Sequence, residues 1–119
     1  MKIAIPAKGE TLKDELDPRF GRAPYFLIVD SETMIAEVIT NDASKSHGAG
    51  IASATAVVNA GADVLIAGNL GPKAFEVIKA AGIDLFLGAE GRVSGVIAKY
   101  KRGELKRAEK ANCPGGLGK

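Results

Sequence analysis

Residues 61–88 read GADVLIAGNLGPKAFEVIKAAGIDLFLG. Two short apolar runs, DVLIA at 63–67 and DLFLG at 84–88, bracket a segment that should be helical over 72–81. Pro72 suits the first helical position, where no N–H is needed, and Gly82 stands just past the end. Strand, helix, strand in that order demands two parallel strands joined by a right-handed crossover. The pattern extends in both directions. Towards the C-terminus a third helix is expected over 93–102, ended by Gly103, with Gly95 costing it about 1 kcal/mol relative to Ala. Towards the N-terminus residues 48–60 are rich in Ala and Val at helical spacing, and Gly61 is a natural left-handed stop.

The first third of the chain differs. Residues 2–7 (KIAIPA) alternate and read as a strand. Residues 25–30 (YFLIVD) form a continuous apolar run, a strand buried on both faces. DSET at 30–33 makes a tight turn, and 34–41 returns as a third strand with Ile35, Glu37 and Ile39 on one face. The expected order is β-β-β-α-β-α-β-α. Short turns between the first three strands require the second to be antiparallel to its neighbours. A five-stranded mixed sheet in the order 3-2-1-4-5, with helices on both faces, meets every demand. This is a three-layer α/β/α arrangement of the ribonuclease-H-like kind. One domain over 1–103 is expected, followed by a flexible tail over 104–119.

Bulk properties fit that picture. The 119 residues are 46% hydrophobic and 25% charged, with no Trp, so an aliphatic core of adequate size is available. A net charge of +2 does not point to nucleic acid or an anionic membrane. The apolar start stops at Lys8, too short for a signal segment or a membrane span. Cys113 is the one cysteine, which excludes an internal disulfide and suits a reducing cytoplasm. The six basic residues over 99–110, set against Glu104 and Glu109, read as a solvated helix end.

In an open α/β sheet the ligand site lies beyond the carboxyl ends of the parallel strands, where the strand order reverses. Here that is between the first and fourth strands. Four connections should meet there: 8–24, His47-Gly48-Ala49-Gly50, Gly68-Asn69-Leu70-Gly71-Pro72 and Gly88-Ala89-Glu90-Gly91-Arg92. The first is long for a loop without a function. Three helices should begin at the same edge, presenting free N–H groups and partial positive charge. With Arg19, Arg22 and Lys8 the edge becomes receptive to an anion. DPRFGRAP at 17–24 then reads as a wall of the crevice, with Gly21 allowing a bend and Phe20 as an apolar anchor.

Each candidate has a plainer alternative. Arg19 and Arg22 could bind an anion, or Arg19 could pair with Asp17 and both be solvated. His47, the single histidine, could ligate a metal or donate to an anion, although a loop or capping histidine is commoner. One histidine and one cysteine cannot close a four-ligand zinc site. The 68–72 turn resembles a phosphate-binding turn but has neither the Walker A nor the dinucleotide spacing, and Asn69 is its one ligand-facing candidate. Cys113 could act as a transient ligand or have no role. The first strand carries no Asp or Glu, so the two-metal chemistry of a ribonuclease-H-like nuclease is not expected. No nucleophile–base pairing is spaced for catalysis. The sequence thus reads as a binding protein rather than an enzyme.

Finally, MKIAIP, DPRFGRAPYFLIVD, SHGAGIASA, AGNLGPKAFEVIKAAGIDLFLGAEGRV and KYKRGEL, in that order and spacing, resemble the dinitrogenase iron–molybdenum cofactor biosynthesis family. These are the NifX-like domains also found at the C-terminus of NifB. The resemblance runs over about residues 1–107. It implies a ribonuclease-H-like fold and a role in binding or carrying an iron–sulfur or iron–molybdenum-type cluster, with a cluster-assembly or acceptor protein as partner. In nitrogen-fixation members the segment matching Arg19-Phe20-Gly21 commonly reads His-Phe-Gly, and that histidine is thought to contact the cluster. Arg19 stays protonated, so it would act by charge and hydrogen bonding instead. The expected cluster-binding set is Arg19, Phe20, Gly21, Arg22, His47, Gly48 and Asn69, with His47 and Cys113 as candidate metal ligands. The other class of ligand compatible with such a crevice is a nucleotide or phosphate metabolite.

Overall fold

A computed structural model describes residues 1–42 and 48–112. Five strands form one sheet: β1 (Lys2–Ala7), β2 (Tyr25–Asp30), β3 (Ala36–Thr40), β4 (Val64–Ile66) and β5 (Asp84–Phe86). Their order is β3-β2-β1-β4-β5. β2 runs antiparallel to both β1 and β3, with Ile5 opposite Leu27 and Leu27 opposite Val38. β1–β4 and β4–β5 are parallel. The helices are α1 (Ala49–Asn59), α2 (Pro72–Ala80) and α3 (Val93–Lys101). The expected fold is the observed one, with strands and helices a residue or two shorter at their ends.

Strand alternation sorts the core into two layers. Ala4, Phe26, Ile28, Leu65 and Leu85 face α1 and α2, where they meet Ala54, Val57, Ala74 and Ile78. Ile3, Ile5, Leu27, Val29, Val64 and Ile66 face α3, where they meet Val93, Val96 and Ile97. β1, β2 and β4 therefore carry apolar side chains on both faces, the pattern of strands covered by helices on either side.

Two local features differ from expectation. The first is a 3-10 turn at Phe20–Arg22, inside a stretch read as neither helix nor strand. Three residues carry no periodicity, so the turn is set by what it packs against. The second is the segment drawn as a tail from Glu104. Residues 104–112 lie along the open edge of β5. The Ala108 N–H donates to Leu85 O at 2.8 Å, and Arg107 bridges to Phe86 and pairs with Asp84 at 3.3 Å. Leu105 packs on the α3 side of the sheet and Ala108 on the α1/α2 side. The segment thus crosses the edge and covers groups that an edge strand would otherwise expose.

Candidate functional site

The parallel strands and β3 all point their carboxyl ends at one rim. The connections that follow β1, β3, β4 and β5 start there, and so do the three helices. The opposite rim holds the short β2–β3 hairpin, closed by Met34 N–H donating to Asp30 O at 2.8 Å.

The long connection 8–24 is tightly tied rather than open. Lys8 N–H donates to Glu15 O, Leu16 N–H to Gly91 O and Asp17 N–H to Pro6 O, each at 2.9 Å. The same connection covers the start of α3. Val93 N–H donates to Asp14 O and Ser94 N–H to Leu12 O, both at 2.9 Å. Those two amides are therefore taken, which corrects the picture of three equally available helix starts. α1 and α2 differ. Among the described residues no carbonyl from another segment takes their first-turn amides, their N-cap glycines offer no side-chain cap, and α2 opens on Pro72. Their positive ends stay directed at the rim.

One half of the rim is a shoulder where the 3-10 turn leans on α1. A Cβ on Gly21 would lie 2.9 Å from Gly50 N and 3.1 Å from Ala49 C, so only glycine allows this approach. Asn41, at the end of β3 and buried, holds the shoulder together. Its Nδ2 donates to Ala23 O at 2.8 Å and to Gly21 O at 3.2 Å, and its Oδ1 accepts from Ser53 Oγ at 3.1 Å. Phe20 is buried with its ring 5.1 Å from that of Phe26, so it anchors the turn as expected. Gly48 begins α1 in the left-handed region at φ 71°.

Arg19 does pair with Asp17. Its Nε and a terminal nitrogen reach the two carboxylate oxygens at 3.2 and 3.0 Å, and its own N–H donates to Oδ1 at 2.9 Å. The carboxylate is fully buried while the Arg19 side chain is 66% exposed. The pair thus presents a guanidinium face outward over a hidden counter-ion. The hydrogen bonds to Asp17, and then its charge, hold Arg19 protonated more firmly than an isolated guanidinium.

The other half is a cavity of about 360 Å3 between the ends of β1, β4 and β5. Lys8, Glu15, Pro18, Asn69 and Glu90 line it, together with the glycines at 68, 88 and 91. Lys8 and Glu15 pair across 3.7 Å. The two halves join at one seam. Asn69 N–H donates to Pro18 O at 3.1 Å, and Arg19 and Asn69 bridge as in a parallel pair. A Cβ on Gly68 would sit 2.8 Å from Pro18 Cα, so glycine is required here too.

Of the expected site residues, Arg19, Phe20, Gly21, Arg22, Gly48 and Asn69 belong to this rim, and Asn69 alone among them lines the cavity. His47 and Cys113 lie outside the described residues. Sequence reasoning did not single out Glu15, Asn41 or the burial of Asp17. Asn41 follows a strand that already carries Glu37 and Thr40, so nothing in its sequence setting marks it.

The chain matches the family model described as dinitrogenase iron-molybdenum cofactor over residues 1–103. It belongs to that family. It is 35% identical over 113 residues to an uncharacterized protein of Methanocaldococcus jannaschii, spanning 92% of each chain. Among solved structures, it is similar to the apo form of the orange protein from Desulfovibrio gigas, with TM-score 0.90 and 43% identity over 94% of this chain and 96% of that one. It is also similar to a protein from Thermotoga described as belonging to the DUF35 family, with TM-score 0.77 and 37% identity over 89% of this chain and 91% of that one. These likenesses establish the NifX-like α/β fold. Among the described residues no helix is long and apolar enough to cross a membrane, and no three His, Cys, Asp or Glu side chains cluster as a metal site.

Proposed function

We propose that this protein binds and carries an anionic metal–sulfur cluster, of iron–sulfur or iron–molybdenum type, at the rim formed by the shoulder and the cavity. The observation that carries the reading is the seam. It sets the outward guanidinium of Arg19 next to Pro18 and Asn69 of an open cavity of about 360 Å3, on the rim where α1 and α2 also begin. That volume is within the usual range for small-molecule sites, about 300–1,000 Å3. Membership of a family named for the iron–molybdenum cofactor supports the cluster as cargo. A relative 43% identical is named for its colour and was solved as an apo form.

The donors on the rim suit a particular kind of holding. Arginine and backbone N–H groups donate hydrogen bonds and cannot ligate iron as a lone-pair donor would. The cluster would be held by charge and hydrogen bonds to its sulfur atoms, with the shoulder recognising charge and the cavity excluding water. Such a carrier releases cargo without breaking protein–metal bonds, which suits transfer to an assembly or acceptor protein. No carboxylate pair on β1 is positioned for two-metal hydrolysis, in keeping with a carrier.

Anaerobic reconstitution with iron(II), sulfide and molybdate, followed by desalting and metal analysis, tests the reading. Retained metal with visible absorbance supports it, and a colourless, metal-free protein contradicts it. A second reading, a nucleotide or phosphate metabolite, is favoured by the cavity's place where the strand order reverses. A nucleotide-induced rise in melting temperature with no metal uptake would select it.

A further inference from the structure

The segment after α3 reaches back to the site. Asn112 makes three hydrogen bonds to the β4–α2 turn. Its Nδ2 donates to Gly68 O at 2.9 Å, its Oδ1 accepts from Leu70 N–H at 2.8 Å, and its own N–H donates to Leu70 O at 3.3 Å. Leu70 is almost fully buried, so without Asn112 its N–H would lose its partner in a place with little water. This turn carries Gly68 and Asn69, one wall of the cavity.

We propose that residues 104–112 form a ligand-responsive latch, with Asn112 as the positioning residue that sets the Gly68–Leu70 wall. The proposal rests on the rim being the ligand site. The latch is lightly built. Among the described residues it is held beyond Asn112 by the Arg107–Phe86 bridge with the Ala108 N–H to Leu85 O, by Arg107 lying 6.0 Å over the Phe86 ring and in an exposed pair with Asp84, and by Leu105 and Ala108 at the two faces of the β5 edge. Exposed pairs contribute little, and segments with few buried contacts open before the domain does. The wall is correctly placed only while the latch is docked. A ligand seated against the wall therefore binds the docked state better, and must in turn hold the latch down, because the coupling is reciprocal. Undocking would loosen the wall and speed release of the cargo.

Hydrogen exchange read by mass spectrometry, on the wild type and on Asn112→Ala, tests both halves. Without ligand, exchange at Leu70 should rise about tenfold in the variant, the order expected for one lost hydrogen bond, while β1 and β2 keep their rates. Unchanged exchange at Leu70 would overturn the positioning role whatever the ligand. After anaerobic loading with iron(II), sulfide and molybdate, the wild type should gain protection at both Leu70 and Ala108. Asn112→Ala should lose protection at Ala108 and retain several-fold less iron through desalting. A purely structural residue would lower stability but leave ligand-dependent protection at Ala108 in place, and equal iron retention in both proteins would overturn the coupling. If the wild type retains no iron, the cluster reading itself fails and the coupling falls with it, while the ligand-free comparison still decides the positioning role.

Discussion

The two halves of the rim solve different problems. The shoulder is densely tied. Asn41 links β3, the 3-10 turn and α1 through three hydrogen bonds, and a buried Asp17 pins Arg19. The cavity is roomier and lined by small residues, and its charged side chains, Lys8, Glu15 and Glu90, do not favour an anion. Space and positive charge therefore sit side by side rather than in one place. An anion entering the cavity would meet its favourable partners along the seam at the Arg19 guanidinium and the Asn69 side-chain amide, since the Asn69 N–H is already donated to Pro18 O. On the proposed reading, the tied half aims charge and the open half accommodates bulk.

Breaking the shoulder should cost the most. Asn41→Ala leaves Ser53 and two carbonyls without their partner in a buried place, and should lower stability by about 2–4 kcal/mol. Urea unfolding measures it. A change below about 0.5 kcal/mol would mean that the network contributes little. Next come the two close approaches. Gly21→Ala and Gly68→Ala each drive a methyl into backbone that cannot swing aside, and should cost about 1–3 kcal/mol. Gly21→Ala should separate the 3-10 turn from α1, whereas Gly68→Ala should part the seam. Amide chemical-shift changes confined to the respective half would sharpen the distinction, and identical maps would erase it.

Gly95→Ala is the contrast. Nothing lies within 4 Å of the place its new methyl would occupy, and its backbone is helical. It should stabilise the chain by about 0.5–1 kcal/mol, seen as a higher melting temperature with metal uptake unchanged. The smallest effect is on acid stability. Hydrogen bonds from the Glu32 and Thr33 N–H groups hold the Asp30 carboxyl below its ordinary 3.8, and hydrogen bonds from Arg102 hold Glu104 below its ordinary 4.5. Both values are depressed on folding. Their stabilisation is complete above the ordinary values and is lost as pH falls through the depressed ones. Asp30→Asn should therefore lower the melting temperature slightly at neutral pH and flatten its fall below about pH 4, where the two proteins converge. An acid limb as steep as in the wild type would contradict this.

Much of the fold was legible because it rests on patterns that repeat. Unbroken apolar runs marked β2, β4 and β5, and Pro72, Gly61 and Gly82 marked helix limits. Parallel pairing then followed from the strand–helix alternation. The rim was legible as a place, since the strand order alone locates it, and Gly21 was legible as a bend. The division into shoulder and cavity was not. It depends on contacts between residues far apart in the chain, such as Gly21 with Gly50 and Gly68 with Pro18. Asp17 reads as a surface charge, and its burial depends on the guanidinium two residues later. The start of α3 looked as open as the others, because the carbonyls of Leu12 and Asp14 that fill it belong to a loop. Residues 104–112 read as solvated because their composition is polar. They dock through backbone groups and one asparagine, which composition does not register.

The central claim is that charge along the seam holds the cargo. Reconstitution with iron(II), sulfide and molybdate, run on the wild type and on Arg19→Ala/Arg22→Ala at low and high salt, addresses it most directly. Circular dichroism on both proteins checks that the fold is kept. The account predicts coloured, metal-bearing wild type whose retained iron falls as salt rises, and a folded double variant that retains about tenfold less. Equal retention by the two proteins, insensitive to salt, would contradict it.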